Sequence, residues 1–180
     1  MQPVVVLMTE HRLIERMIRL IRREMQDALK IRQIDTALLD AAVDFIRWYA
    51  DRTHHAKEEA ILFRDLARKE ISPTERGLLQ ELIADHDFGR KTVGRLVAEK
   101  EKYLLEPNKS IEPFLEIYET LTDFYQEHIR KEDHIFFPAA TRYFSELETL
   151  AMLREFWEAD RQMIHVKYEA RIDQLEKIKH

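Results

Sequence analysis

Apolar residues recur three or four positions apart along nearly the whole chain, and most interruptions of that rhythm carry a helix-start signal. Leu7, Ile14, Met17, Ile18, Ile21, Met25 and Leu29 hold the period through a first helix, which Pro3 can open and which runs to about Lys30. Asp35 or Thr36 can cap a second helix through Leu38, Leu39, Val43, Ile46, Tyr49, Leu62 and Leu66, ending near Lys69. Ser72-Pro73-Thr74-Glu75 supplies a capping Ser, a Pro for the first helical position and an acid to close a capping box, and so opens a third helix to about Leu105. After a break at Glu106-Pro107-Asn108-Lys109-Ser110, a fourth follows through Phe114, Leu115, Tyr118, Leu121, Phe124 and Tyr125. Pro138 should kink or end it, because it lacks a backbone donor. Ser145-Glu146-Leu147-Glu148 repeats the capping box and begins a fifth helix that reaches nearly to the C-terminus.

Three Gly and five Pro in 180 residues leave little material for turns, so the expected fold is all-α. Long helices with short connections pack as an antiparallel up-down four-helix bundle, here residues 1–144, with 145–180 as a C-terminal helical extension. The later half of the fifth helix is mostly charged, with Met163, Ile164, Tyr168, Ile172 and Leu175 as a thin apolar stripe. Such a stripe seeks a partner helix, in the same chain or in a second copy that would make a homodimer; otherwise it is a solvated tail.

The 34 acidic and 29 basic residues are interspersed without a basic block, which argues against nucleic acid. No stretch approaches a membrane span or a signal peptide, so a cytoplasmic protein with no membrane partner is expected. With no Cys, any metal ligands must be nitrogen and oxygen.

Two stretches of the helical pattern nearly coincide: His54-His55-Ala56-Lys57-Glu58-Glu59-Ala60-Ile61-Leu62-Phe63 and His128-Ile129-Arg130-Lys131-Glu132-Asp133-His134-Ile135-Phe136-Phe137. Each sets an imidazole and a carboxylate four residues apart on one helix face, about 6 Å apart along the axis. That spacing alone is weak, because His11 and Glu15, His55 and Glu59, and His165 and Glu169 also satisfy it. The wider repeat discriminates. His11 and His86 stand 75 positions apart and His54 and His128 stand 74 apart, so the chain reads as two copies of one unit: a helix with a single His, then a helix with His-x-x-x-Glu.

In a bundle that unit brings His11, His54, Glu58, His86, His128 and Glu132 to one level of the core. A carboxylate facing a core is costly unless it is paired or ligating. Glu59 and Asp133 read as the solvated neighbours of Glu58 and Glu132. Aligning the copies selects His54 and Glu58; shifting the register by one makes His55 and Glu59 the ligands instead. His134, His165 and His180 have no counterpart and read as surface residues.

Four imidazoles and two carboxylates suit iron, manganese or zinc. Two carboxylates able to bridge, with imidazoles on either side, favour a pair of octahedral iron ions joined by an oxo or hydroxo group, with zinc or manganese as substitutes. Coordination positions left open would admit a small molecule. Ile14, Leu62, Phe63, Phe124 and Phe136 would dry the pocket; Tyr125 could hydrogen-bond an imidazole, but such a residue is more often just a core aromatic.

Residues 45–59 and 128–138 resemble the signature of the hemerythrin-like family of HHE cation-binding proteins, and the resemblance covers roughly residues 7–144. It implies a non-haem di-iron centre with His11, His54, Glu58, His86, His128 and Glu132 as ligands and the two Glu as bridges. Two departures stand out. Oxygen-carrying hemerythrins have a second His four residues after the third-helix ligand, where this chain has Arg90. They also have an Asp five residues after the fourth-helix His, the spacing of Asp133. The resemblance thus shifts from reversible oxygen carriage towards di-iron proteins that repair iron-sulfur clusters or respond to nitric oxide, which usually add a Cys-bearing segment absent here. The leading expectation is a di-iron protein that binds or senses O2, NO or peroxide at an open iron position. The alternative is a redox enzyme acting on NO or peroxide, or an iron donor for cluster repair. A metal-free scaffold would require the repeat to be coincidence.

Overall fold

A computed structural model describes residues 2–106, 110–160 and 164–178. Expectations that fall on Pro107, Asn108, Lys109, Met163 and His180 lie outside the described residues. Among the described residues there are six helices and no strand, consistent with a helical bundle. None of these helices is long and apolar enough to cross a membrane.

Helix α1 is Pro3–Ile31, with Pro in its first turn and Arg32 closing it at φ 55° while its N–H donates to Ala28 O at 2.8 Å. Helix α2 starts at Thr36, where Asp35 Oδ1 accepts from the amides of Ala37 (3.1 Å) and Leu38 (3.0 Å). Helix α3 is Pro73–Leu105 and opens with the capping box of Ser72 and Glu75. Helix α4 begins as Glu112–Lys131. The capping box of Ser145 and Glu148 opens α5, Glu146–Ala159, and α6 is Ile164–Ile178. The single fifth helix expected from sequence is thus two, with Asp160 at the C-cap of α5.

The motif-bearing helices are not continuous α-helices. Helix α2 runs as α over Thr36–Phe45, winds as π-helix over Ile46–His55 and again over Glu58–Phe63, and closes with Arg64–Leu66. Helix α4 changes to π over Glu132–Phe136, then continues through Phe137–Ala140 into a 3-10 turn at Thr141–Tyr143. A π-segment therefore starts at the motif glutamate in both copies. Bonding to the fifth residue winds the chain more slowly than α, so neighbouring side chains diverge less, and such segments gather at functional sites. Pro138 sits just past the seam where π gives way to α, and the helix ends within two turns of it.

Two apolar clusters form the core. One gathers Ile14, Ala50, Val93, Tyr125 and Ile129; the other gathers Leu7, Ile61, Leu82 and Phe136. Along α1 and α3 the second cluster comes first in sequence, and along α2 and α4 it comes last. In α1, α2 and α3 the candidate ligands fall between the two, and in α4 His128 and Glu132 flank Ile129 at the end of the first, so they form a polar layer across the interior. The extension completes both clusters: Met152 and Phe156 of α5 enter the second, and Tyr168, Ile172 and Leu175 of α6 enter the first. The apolar stripe of α6 is therefore buried within its own chain, against α1 and α2.

Candidate metal centre

The polar layer is dry. His11, His54, His86, Glu58 and Glu132 are at 0% exposure, and His55 and His128 at 2%. Apolar rings close over the imidazoles: Phe137 stacks on His11, Phe63 on His86 and Phe124 on His128, with centroids 5.3–5.7 Å apart. Phe124 fits because α3 presents Gly89 there; a Cβ at that position would lie 3.0 Å from Phe124 Cε1.

Each of four imidazoles is held at Nδ1 by a carboxylate from another helix. His54 of α2 donates to Glu10 of α1 at 2.9 Å, and His86 of α3 to Glu59 of α2 at 2.7 Å. His128 of α4 donates to Asp85 of α3 at 3.4 Å, and His11 of α1 to Asp133 of α4 at 2.7 Å. The four bonds tie α1, α2, α3 and α4 into a closed cycle in which each helix gives one carboxylate and takes one. They also fix the tautomer, turning every Nε2 lone pair inward.

These residues correct three expectations, for Glu59, Asp133 and His165, and bear out Tyr125 as a core aromatic. Glu59 and Asp133 are not solvated neighbours: Asp133 is 5% exposed, and both orient imidazoles. Tyr125 packs its ring against His55 and Phe124, and Asp85 takes the imidazole bond suggested for it. His165 is half-buried, with Nδ1 2.9 Å from the Tyr49 hydroxyl and Nε2 3.2 Å from Asp160. The sequence did carry a signal for the orienting carboxylates, since Glu10 and Asp85 each precede the single His of their helix and Glu59 and Asp133 each follow the motif Glu. His134 is exposed.

Inward, nothing satisfies the donor atoms. Nε2 of His11, His54, His86 and His128, both oxygens of Glu58 and of Glu132, and Nδ1 of His55 are buried without a hydrogen-bond partner. Orphaned buried polar atoms are rare and costly. Glu58 sets one oxygen 3.4 Å from His54 Nε2 and the other 3.3 Å from His86 Nε2. Glu132 Oε2 lies 3.2 Å from His11 Nε2 and 3.3 Å from His128 Nε2. Donors about 2.1 Å from an octahedral ion stand roughly 3 Å apart at adjacent positions, so these separations suit a shared cation.

The atoms sort into two groups, each within 4.8 Å: His11, His54, Glu58 and Glu132, and then His55, His86 and His128. His54 and Glu58 thus face the first group while Glu59 orients His86, and His55 joins the second group rather than displacing His54. The π-wound Ile46–His55 segment carries the His54-His55 pair, both buried.

Electrostatics point the same way. Burial opposes protonation of His11, but Asp133 and Glu132 outweigh it and raise its pKa to about 10. For His86 burial is likewise outweighed, by Glu132, Glu58 and Glu59, and its pKa rises to about 11. Burial disfavours the Glu132 anion, yet the surrounding imidazoles hold its pKa well below the usual range. His55 goes the other way: burial, then the charges of His86, His54 and His128, keep it neutral with a free lone pair. The cavity draws in positive charge, which protons supply when no cation does.

A cavity abuts the centre on the His55 side. It has a volume of about 370 Å³ and is lined by Arg47, Trp48, Asp51, Arg90 and Tyr125, among others, and His55 is the only member of either donor group on its wall. Arg90 donates to Asp51 and Glu59, both at 2.7 Å, so it braces the carboxylate that orients His86.

The family model described as Hemerythrin HHE cation binding domain matches residues 2–140, and the chain belongs to that family. No curated protein and no solved structure matches.

Proposed function

For a chain of the hemerythrin HHE cation-binding family, we propose a non-haem di-iron protein that binds or senses O2, NO or peroxide at an open iron position. The observation that carries this reading is the set of buried, unpartnered donor atoms converging between helices that fix Nδ1 of His11, His54, His86 and His128. In this reading α1 to α4 form an antiparallel up-down bundle. His11, His54, Glu58, His86, His128 and Glu132 would hold the ions, and zinc or manganese could substitute. His55 would add an imidazole beside His86 and His128, where α3 offers Arg90 instead. Iron, when bound, supplies an exchangeable coordination site with redox chemistry. The chain's own residues exclude water, fix the imidazoles and admit a small ligand past His55.

Expression in iron-rich medium should give close to two irons per chain, with charge-transfer absorption in the oxidised protein that changes on adding NO to the reduced form. Metal analysis finding no iron, zinc or manganese would sink the reading. Aerobic turnover of peroxide or NO, measured beside optical binding titrations, separates the enzyme alternative from a binding or sensing role.

A further inference from the structure

The orienting carboxylates have cations of their own, and the two halves of the repeat obtain them differently. On the α3 and α4 side, Lys131 Nζ donates to Asp85 at 2.8 Å and also to Glu81, just over one turn before Asp85 on α3. Asp85 thereby shares the ammonium with a second carboxylate while it holds His128. On the α1 and α2 side, Lys57 occupies the position of Lys131 and Glu10 that of Asp85. The position matching Glu81 is Val6, which accepts nothing.

That substitution would leave a buried ammonium on one carboxylate. Lys57 is 1% exposed, whereas the Lys131 side chain is 14% exposed. Lys57 Nζ donates to Oε1 of Glu10, beside His165 Nε2 at 3.5 Å from that oxygen, while His54 holds Oε2 of the same carboxylate. Its second acceptor is Asp160 at the C-cap of α5, both of whose oxygens lie 2.8 Å away. His165 and the buried Tyr49 continue the chain of contacts from Asp160, along the wall of a cleft that Val6 also lines. Asp160 lies outside the residues matched to the family.

We propose that Asp160 is a positioning residue for the metal centre. It takes up the Lys57 ammonium so that Glu10 remains available to His54, and this makes the C-terminal helices part of the centre's electrostatic shell. The inference rests on the reading of His54 as a ligand. Without Asp160 the ammonium depends on Glu10 alone, which draws that carboxylate off the imidazole and weakens His54 as a donor. Losing such an orienting partner typically costs about 10–100-fold in metal affinity.

The test compares full-length wild type, Asp160→Asn, the double variant Lys57→Met/Asp160→Asn, and Glu81→Gln. Ferrous iron is titrated against a competing chelator, and the His54 ring is followed by nitrogen NMR in ion-free protein. Asp160→Asn should weaken binding by about tenfold or more and alter the His54 Nδ1 signal. The double variant should recover most of the loss, because it removes the charge that competes for Glu10. Glu81→Gln should cost less, since water reaches Lys131. Unchanged affinity and ring signal in Asp160→Asn would overturn the proposal, as would a double variant no better than the single. If wild type itself holds no metal, the di-iron reading fails, and the His54 signal alone decides the role of Asp160.

Discussion

Acid should empty the metal centre with a steepness set by two of its imidazoles. In the ion-free protein His11 titrates at about 10 and His86 at about 11, so both carry a proton at neutral pH. Ligands must be deprotonated to bind, and each incoming cation must displace one proton, because His11 and His86 fall in different donor groups. At pH 7 that competition holds apparent affinity about a thousandfold and ten-thousandfold below the fully deprotonated limit. Each affinity should therefore climb about tenfold per pH unit from neutrality towards pH 10, or about a hundredfold between pH 7 and 9. Calorimetric titrations with chelator-buffered metal, in buffers of differing ionisation heat, should show two protons released per filled chain from these two residues. Affinity that stays flat across that range, or binding without proton release, would refute the argument. The ion-free fold should respond with the opposite sign. Folded pKa values raised above 6.5 contribute stability that is complete below that value and is lost as pH rises through about 10 to 11. Ion-free protein should thus unfold more easily in alkali, and metal loading should cancel the effect.

Three further outcomes follow from particular contacts. Glu58→Ala or Glu132→Ala should strip most of the metal as measured by elemental analysis. Glu59→Ala should weaken it about 10–100-fold through His86, and Glu15→Ala should leave it intact; equal losses at Glu58 and Glu15 would show the donor set to be wrong. Gly89→Ala places a methyl 3.0 Å from Phe124 Cε1 and should cost about 1–3 kcal/mol in denaturant unfolding, relieved by Phe124→Leu. Phe156→Ala, which empties a side chain at 0% exposure that the extension sends into the core, should cost about 3–5 kcal/mol; a cost below 1 kcal/mol would mean that α5 does not stabilise the core.

The helix boundaries were readable because their signals are local. Asp35, Ser72 and Ser145 each bond amides or side chains two or three residues away, and that proximity is encoded in sequence spacing. The donor cluster was readable for a different reason: the 74- and 75-residue repeat supplied a long-range constraint that single His-x-x-x-Glu pairs lack. Even so, spacing could not fix how each helix is rotated about its axis. Glu59 and Asp133 looked solvated because an α-helix would turn them away from Glu58 and Glu132, whereas their carboxylates meet imidazoles on neighbouring helices.

The sequence by itself determined an all-helical chain and the capped starts of α2, α3 and α5 at Asp35, Ser72 and Ser145, because periodicity and capping act over three or four residues. Only the tertiary structure decided the π-winding that begins at Glu58 and at Glu132 and the placing of His55 in the second donor group. It alone joined Glu10, Glu59, Asp85 and Asp133 into a cycle through the four imidazoles, and it alone brought Asp160 to Lys57. Those partners come from other helices, and their pairing depends on how the helices are rotated and packed against one another, which no spacing along one strand of sequence records.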